Sequence, residues 1–79
     1  MSNKTIASLA AEISLFWENP SPYAKPYLSA MFCLVDKDSK YLLDSADDIV
    51  ARFISNASGF RGAEARRIKA ELKEIVGIR

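Results

Sequence analysis

The sequence predicts an all-α protein, a compact four-helix bundle of short helices that forms one domain over residues 1–79. Apolar residues recur at every third or fourth position in four separate segments, which is the spacing of a helix with one buried face. Connectors with proline, glycine or several charged residues separate these segments. Hydrophobic residues make up 49% of the chain and charged residues 27%, which is ordinary for a globular protein.

The first helix is predicted over residues 4–17, with Asn3 or Thr5 as its N-cap. Its apolar stripe consists of Ile6, Leu9, Ala10, Ile13, Phe16 and Trp17. The segment 18–22 contains two prolines and ends this helix, because the residue before each proline is forced away from α geometry.

The second helix is predicted from about Pro22 to Leu34, with Ser21 as its cap. Pro26 would remove a hydrogen bond at the end of the first turn, and a start near Lys25 avoids that loss. The expected apolar face consists of Tyr23, Tyr27, Ala30, Met31, Leu34 and Val35.

The third helix is predicted to begin after Ser45. Asp48 follows this serine by three positions, as in a capping box, and Asp47 and Asp48 complement the positive end of the helix dipole. The expected core stripe consists of Ile49, Val50, Phe53, Ile54 and Ala57. Gly59 is the expected C-terminal stop, and the apolar segment 41–43 is too short to assign.

The fourth helix is predicted over about residues 62–76. Gly77 provides a left-handed exit, and Ile78 is expected to fold back onto the last turn, as in a Schellman motif. The apolar side of the helix carries Ala65, Ile68, Leu72, Ile75 and Val76.

Cysteine usage and the chain's apolar runs indicate the compartment. Cys33 is the single cysteine, which excludes an intrachain disulfide and favours a reducing, intracellular environment. Because it lies in the apolar run 30–35, we interpret it as a buried, inert thiol. The first residues lack the apolar core of a signal peptide, and no run approaches the roughly 18–20 apolar residues of a membrane span. We therefore expect a soluble, cytoplasmic protein.

The residue types argue against catalysis. The chain has no histidine, which removes the usual general base near neutral pH and the commonest transition-metal ligand. With one cysteine besides, zinc sites and Cys–His or Ser–His nucleophilic pairs are excluded. Asp47 and Asp48 are adjacent carboxylates that point in different directions on a helix, so we assign them to its N-terminal turn. We expect no enzymatic activity, no catalytic residue, no metal and no cofactor.

Four residues are candidates for binding a protein partner, namely Phe60, Arg61, Trp17 and Tyr23. Phe60 lies between two glycines, where it either plugs the end of the bundle or anchors a partner, and the plug is the favoured interpretation. Trp17 and Tyr23 flank the proline-containing corner, and partly buried aromatic side chains there would form an apolar edge suited to an interface. A chain of 79 residues has difficulty covering such surface, which makes a homodimer a further expectation.

The alternative function is nucleic-acid binding through the fourth helix, in the manner of a helix-turn-helix. The candidate contacts are Arg61, Arg66, Arg67, Lys69 and Lys73. Three glutamates share this helix, and Glu71 follows Arg67 by four positions, which ties up part of the charge. The whole chain has a net charge of +1, too near zero to indicate a polyanionic partner. Protein binding is therefore the leading hypothesis.

The second half of the chain resembles short uncharacterised helical proteins of bacteriophages and prophages. The resemblance rests on the run from Asp48 to Gly62 and on the helix from Ala65 to Lys73, and the region from Pro22 to Ala30 is also similar in character. The chain departs from the group's pattern at Phe60, where tryptophan is expected. The resemblance implies a phage origin, a place in the host cytoplasm and an accessory role with no known activity. We therefore expect a non-enzymatic protein-interaction module that binds a host or phage protein.

Overall fold

Four helices and one short strand pair follow one another in the residues that the computed structural model describes, which are 4–36, 38–41 and 44–77. In chain order the elements are α1 (Ile6–Phe16), α2 (Lys25–Met31), β1 (Lys40–Tyr41), β2 (Asp44–Ser45), α3 (Ala46–Ser55) and α4 (Ala63–Val76). Helix α1 contacts α2 and α4, and α3 also contacts α2 and α4. The prediction of a mainly helical protein is confirmed, with a strand pair that the sequence did not predict.

A capping box starts α1. The Thr5 hydroxyl accepts a hydrogen bond from the Ser8 N–H at 3.0 Å, and the Ser8 hydroxyl accepts one from the Thr5 N–H at 2.9 Å. Thr5 is therefore the N-cap, while the other candidate, Asn3, lies outside the described residues. The helix ends at Phe16, because Trp17 already has extended backbone geometry.

Helix α2 is shorter than predicted. It begins at Lys25, so that Pro26 lies in the first turn, where its missing N–H costs no hydrogen bond. This is the alternative start that the proline favoured. Ser21 is not the N-cap residue of the helix, although its hydroxyl accepts a hydrogen bond from the Ala24 N–H at 3.2 Å. The helix ends at Met31, three residues before the predicted end.

The buried face of this segment differs from the predicted one. Buried as predicted are Ala30, Met31 and Leu34. Tyr23 and Val35 are exposed, and Leu28, which the prediction omitted, is buried. Cys33 is also exposed, so its interpretation as a buried thiol is wrong. Tyr23 lies before the helix begins, and Cys33 and Val35 lie after it ends, so a helical spacing does not tell whether these side chains point inward. Leu28 lies within α2, three positions before Met31 and on the same face.

The two strands lie immediately before α3. They pair in antiparallel register, Lys40 with Ser45 and Tyr41 with Asp44. Tyr41, the first residue of the apolar segment 41–43, belongs to β1, and the other two residues of that segment lie outside the described part of the chain. A pair of two-residue strands adds no layer to the fold, which remains helical in character.

The start of α3 does not have the predicted capping box. Ser45 occupies the N-cap position, but its hydroxyl donates to the carboxylates of Asp47 and Asp48 and accepts no backbone N–H. The prediction of a capping box is therefore wrong. Both carboxylates nevertheless lie in the first turn, where they complement the helix dipole. The hydrogen bond from Ser45 holds the pKa of Asp47 below its ordinary value.

The ends of α3 and α4 use different backbone geometry. Helix α3 stops at Ser55, four residues before Gly59, and Gly59 does not have the left-handed geometry that its predicted role requires. Helix α4 lies within one residue of its predicted bounds and leaves through Gly77, whose φ of 76° confirms the left-handed exit. Gly62 precedes the helix with a φ of 107°. The predicted contact of Ile78 lies outside the described residues.

The hydrophobic core lies among the four helices, and the residues predicted for α3 and α4 supply much of it. Its largest fully buried side chains are Phe53, Ile6, Leu9, Ile13, Met31, Leu34, Ile68, Leu72 and Val50. Ile54 and Ile75 are partly buried and pack against this core. None of the helices in the described part of the chain has both the length and the apolar character needed to cross a bilayer.

Candidate functional site

Phe60 lies inside the molecule. Its side chain is 3% exposed, and its ring stacks on Trp17 with the centroids 5.3 Å apart and the planes inclined by 16°. Trp17 also meets Phe53 edge to face at 6.2 Å. We call these three rings the aromatic stack. This position agrees with the interpretation of Phe60 as a plug at the end of the bundle. Because the ring is almost fully buried, it offers almost no surface to a partner. Phe60 is therefore not an exposed anchor.

Lys69 holds the turn that carries Phe60. Its ammonium group donates to the carbonyl oxygens of Ala57 and Phe60, both at 2.8 Å, and lies 5.8 Å from the centroid of the Phe60 ring. Partial burial lowers the pKa of Lys69, and the nearby charges of Lys73 and Arg61 lower it further. The sequence does not indicate this structural role, since the two carbonyls precede Lys69 by 12 and 9 residues.

Arg67 is enclosed by carboxylates. Its guanidinium donates to Glu64 at 2.9 Å, Glu71 at 2.6 Å and Glu12 at 2.8 Å, and Lys4 joins the network at 2.9 Å from Glu12. The predicted pairing of Arg67 with Glu71 is confirmed. Hydrogen bonds to Glu64 and then to Glu12 raise the pKa of Arg67, while those from Arg67 and then Lys4 lower the pKa of Glu12. Arg67 is thus committed to contacts within the molecule.

A surface cavity of about 280 Å³ lies where the 57–62 turn meets α4. Its lining residues are Phe60, Arg61, Gly62, Ala65, Arg66 and Lys69, and we call it the basic cavity. Arg61 is exposed and donates from Nε to the Ser58 carbonyl at 3.2 Å. The structure thus divides the five basic candidates: Arg61, Arg66 and Lys69 converge on one cavity, Arg67 belongs to the carboxylate network, and Lys73 lies outside the cavity lining.

The end of α1 and the following corner expose large apolar side chains. Leu15 is 80% exposed, Phe16 49% and Tyr23 75%. We call these three residues the α1 corner. Trp17 lies between them in sequence and is partly buried in the aromatic stack. Phe16 belongs to the predicted apolar stripe of the first helix, but it is half-exposed and so is not part of the buried face. The predicted binding residues include Trp17 and Tyr23 but not Leu15. Its position outside the predicted apolar stripe of the first helix was the signal that could have identified it.

Phe32 and Val35 form a second exposed apolar pair, which follows α2, whereas Tyr23 precedes it.

Among the described residues, no group of three or more cysteine, aspartate and glutamate side chains is placed to hold a metal ion. Comparison with family models, with curated proteins and with solved structures finds no match for this chain.

Proposed function

We propose that the protein is a phage-encoded accessory factor without enzymatic activity, which acts by binding a protein of the phage or its host. Its contact surface is the α1 corner, and the partner offers an uncharged, apolar recess. The observation that carries this proposal is the exposure of Leu15, Phe16 and Tyr23 within one short stretch of chain. The phage origin rests on the resemblance of the second half of the sequence.

The charge distribution favours an apolar partner. Glu12 is the single charged residue of α1, and its carboxylate pairs with Arg67 and Lys4. Helix α1 therefore brings no uncompensated charge to the α1 corner, although the exposed residues Glu18 and Lys25 follow Phe16 and Tyr23 by two positions. Large apolar side chains in such a setting are the usual anchors of a protein interface.

The attachment of the corner to the protein body favours binding as well. Trp17 is held by ring contacts with Phe60 and Phe53, and the Ser21 hydroxyl donates to the Asn56 carbonyl at 3.0 Å. These contacts fix the chain between Phe16 and Tyr23 before any partner binds. A surface that is already ordered loses less conformational entropy on binding, which improves affinity.

The titratable groups support a role without catalysis. The chain has no histidine. The altered pKa values of Glu12 and Arg67 arise from their mutual network, and that of Asp47 from the Ser45 hydroxyl. Structural ion pairs of this kind change pKa values without implying an active site.

We also propose that the four helices form a bundle and that the protein is a homodimer. Each helix contacts two others, which supports the bundle. Phe32 and Val35 are the exposed apolar residues that a second copy would cover, and they are separated from the α1 corner by the length of α2. The two interfaces can therefore be tested independently.

Reciprocal lysine substitutions test both surfaces. Phe16 and Phe32 are exposed to nearly the same degree, so Phe16→Lys and Phe32→Lys are matched variants at different places. We expect Phe16→Lys to abolish capture of a specific host or phage protein by the immobilised chain while the molar mass from light scattering stays that of a dimer. Phe32→Lys should do the reverse, giving a monomer that retains capture.

Circular dichroism establishes that both variants remain helical. If the captured proteins are the same for wild type, Phe16→Lys and a Leu15→Lys variant, the α1 corner is not a binding surface. If the molar mass of the wild-type protein is that of one chain, the homodimer is contradicted. The capture experiment then still tests the α1 corner, because it does not depend on dimerisation.

A further inference from the structure

The basic cavity collects positive charge that the protein does not neutralise. Arg61, Arg66 and Lys69 line it together with the small residues Gly62 and Ala65. Among the residues that the structure describes, no carboxylate lies within ion-pair distance of any of these three basic side chains. The carboxylates of α4 that do form ion pairs, Glu64 and Glu71, are bound to Arg67 and Lys4.

Lys69 contributes a charge in a fixed position. Its two hydrogen bonds go to the carbonyl oxygens of Ala57 and Phe60, which are neutral groups that orient the ammonium without cancelling its charge. An ammonium has three N–H donors, so one remains. The pKa of Lys69 is lowered by burial and then by the charges of Lys73 and Arg61, as expected where positive charge lacks a counter-ion.

We propose that the basic cavity binds the phosphate group of a small phosphorylated ligand. Arg66 and Arg61 supply guanidinium donors, whose planar geometry suits two oxygens of one phosphate, and Lys69 supplies a fixed positive charge. A volume of about 280 Å³ accommodates one or two phosphate groups with a short organic substituent. Phe60 and Ala65 also belong to the lining, but both are almost fully buried and offer little apolar surface to the ligand.

A nucleic acid fits these observations less well than a small ligand. Backbone recognition requires cations spread along the strand, whereas three of the candidates here converge on one point. Arg67 is occupied by its network, and Glu64 and Glu71 lie on the same helix. A phosphodiester backbone laid along α4 would meet these carboxylates.

Titration with inorganic phosphate, followed by nuclear magnetic resonance of the backbone amides, tests the proposal. We expect saturable shifts at Gly62, Ala65 and Lys69 that sodium chloride at the same ionic strength does not produce. Arg66→Gln should weaken binding about tenfold, because one charge-assisted contact is lost. Arg52→Gln is the matched control, since Arg52 is an exposed arginine on α3 away from the cavity lining, and its affinity should equal that of wild type.

Three results would overturn the proposal. One is the absence of saturable shifts at these amides. Another is an equal affinity for phosphate in the Arg66→Gln and Arg52→Gln variants. The third comes from a short DNA duplex added at low salt. If the duplex binds and shifts amides along α4 as far as Lys73 while phosphate does not bind, the site recognises a nucleic-acid backbone instead.

Discussion

Truncation of the buried phenylalanine, Phe60→Ala, should remove a large part of the protein's stability. The side chain is 3% exposed and stacks on Trp17. Removing a buried phenylalanine costs about 3–5 kcal/mol, of which the stack with Trp17 accounts for about 0.5–1.5 kcal/mol. We take the lower value, about 3 kcal/mol, because Trp17 is itself partly exposed and can relax into the space. A domain of 79 residues is stable by only about 4–12 kcal/mol, so this loss is large.

Unfolding in urea, monitored by tryptophan fluorescence, measures this loss of stability directly. Trp17 is the single tryptophan, and it stacks on the Phe60 ring that the substitution removes. With a slope of about 1 kcal/mol per molar urea, the midpoint should fall by about 3 M. Phe16→Ala is the matched control, since it deletes the same ring from a half-exposed position and should cost about 1 kcal/mol. Midpoints of the two variants that agree within about 1 M would refute the assignment of Phe60 to the core.

Three further predictions concern the carboxylate network, the glycines and the helix cap. The pKa of Glu12 is lower in the folded protein than its ordinary value of 4.5, so its pairing stabilises the fold fully above that pH and is lost as the pH falls below it. Glu12→Gln should cost about 0.5 kcal/mol at pH 7 and reduce the loss of stability at acid pH, whereas the control Glu74→Gln, at an exposed position of α4, should leave the stability at pH 7 unchanged. Gly62→Ala should lower the free energy of unfolding in urea by about 1–3 kcal/mol, because Gly62 has a positive φ that alanine adopts only with strain. Gly59→Ala is the control and should change the free energy of unfolding by less than about 1 kcal/mol, since the added Cβ would lie 3.8 Å from Trp17, an ordinary van der Waals contact. Thr5→Ala should lower the thermal midpoint by an amount equivalent to about 1 kcal/mol, and an unchanged midpoint would contradict the capping box.

Local sequence signals predicted the elements that depend on local structure. The spacing of apolar residues in α3 and α4 indicated most of their buried faces, because helical periodicity is a property of a few consecutive turns. The left-handed exit at Gly77 was also predictable from local sequence, because it depends on the backbone geometry of a single residue. Helix α2 was harder to predict, because Pro26 restricts its start and its seven residues make slightly less than two turns of periodicity.

The candidate sites depend on contacts between distant parts of the chain, which periodicity does not report. Trp17 and Phe60 are 43 positions apart in sequence, so their stacking could not be inferred from either segment alone. The hydrogen bond of Arg67 to Glu12 spans 55 positions. Consequently the sequence pointed to five basic residues on and near α4 but not to which of them are committed to internal contacts. It identified Phe60 as a plug or an anchor, and only the packing of Trp17 distinguishes the two.

Photo-crosslinking from the α1 corner tests the proposed function most directly. A benzoyl-phenylalanine introduced in place of Leu15, in cells of the host, should form a covalent adduct with one discrete protein on irradiation. The same group in place of Ala70, an exposed residue of α4, should not form that adduct. Adducts of the same proteins from both positions, or none from position 15 while the chain remains folded, would contradict the proposal that this corner is where the protein meets its partner.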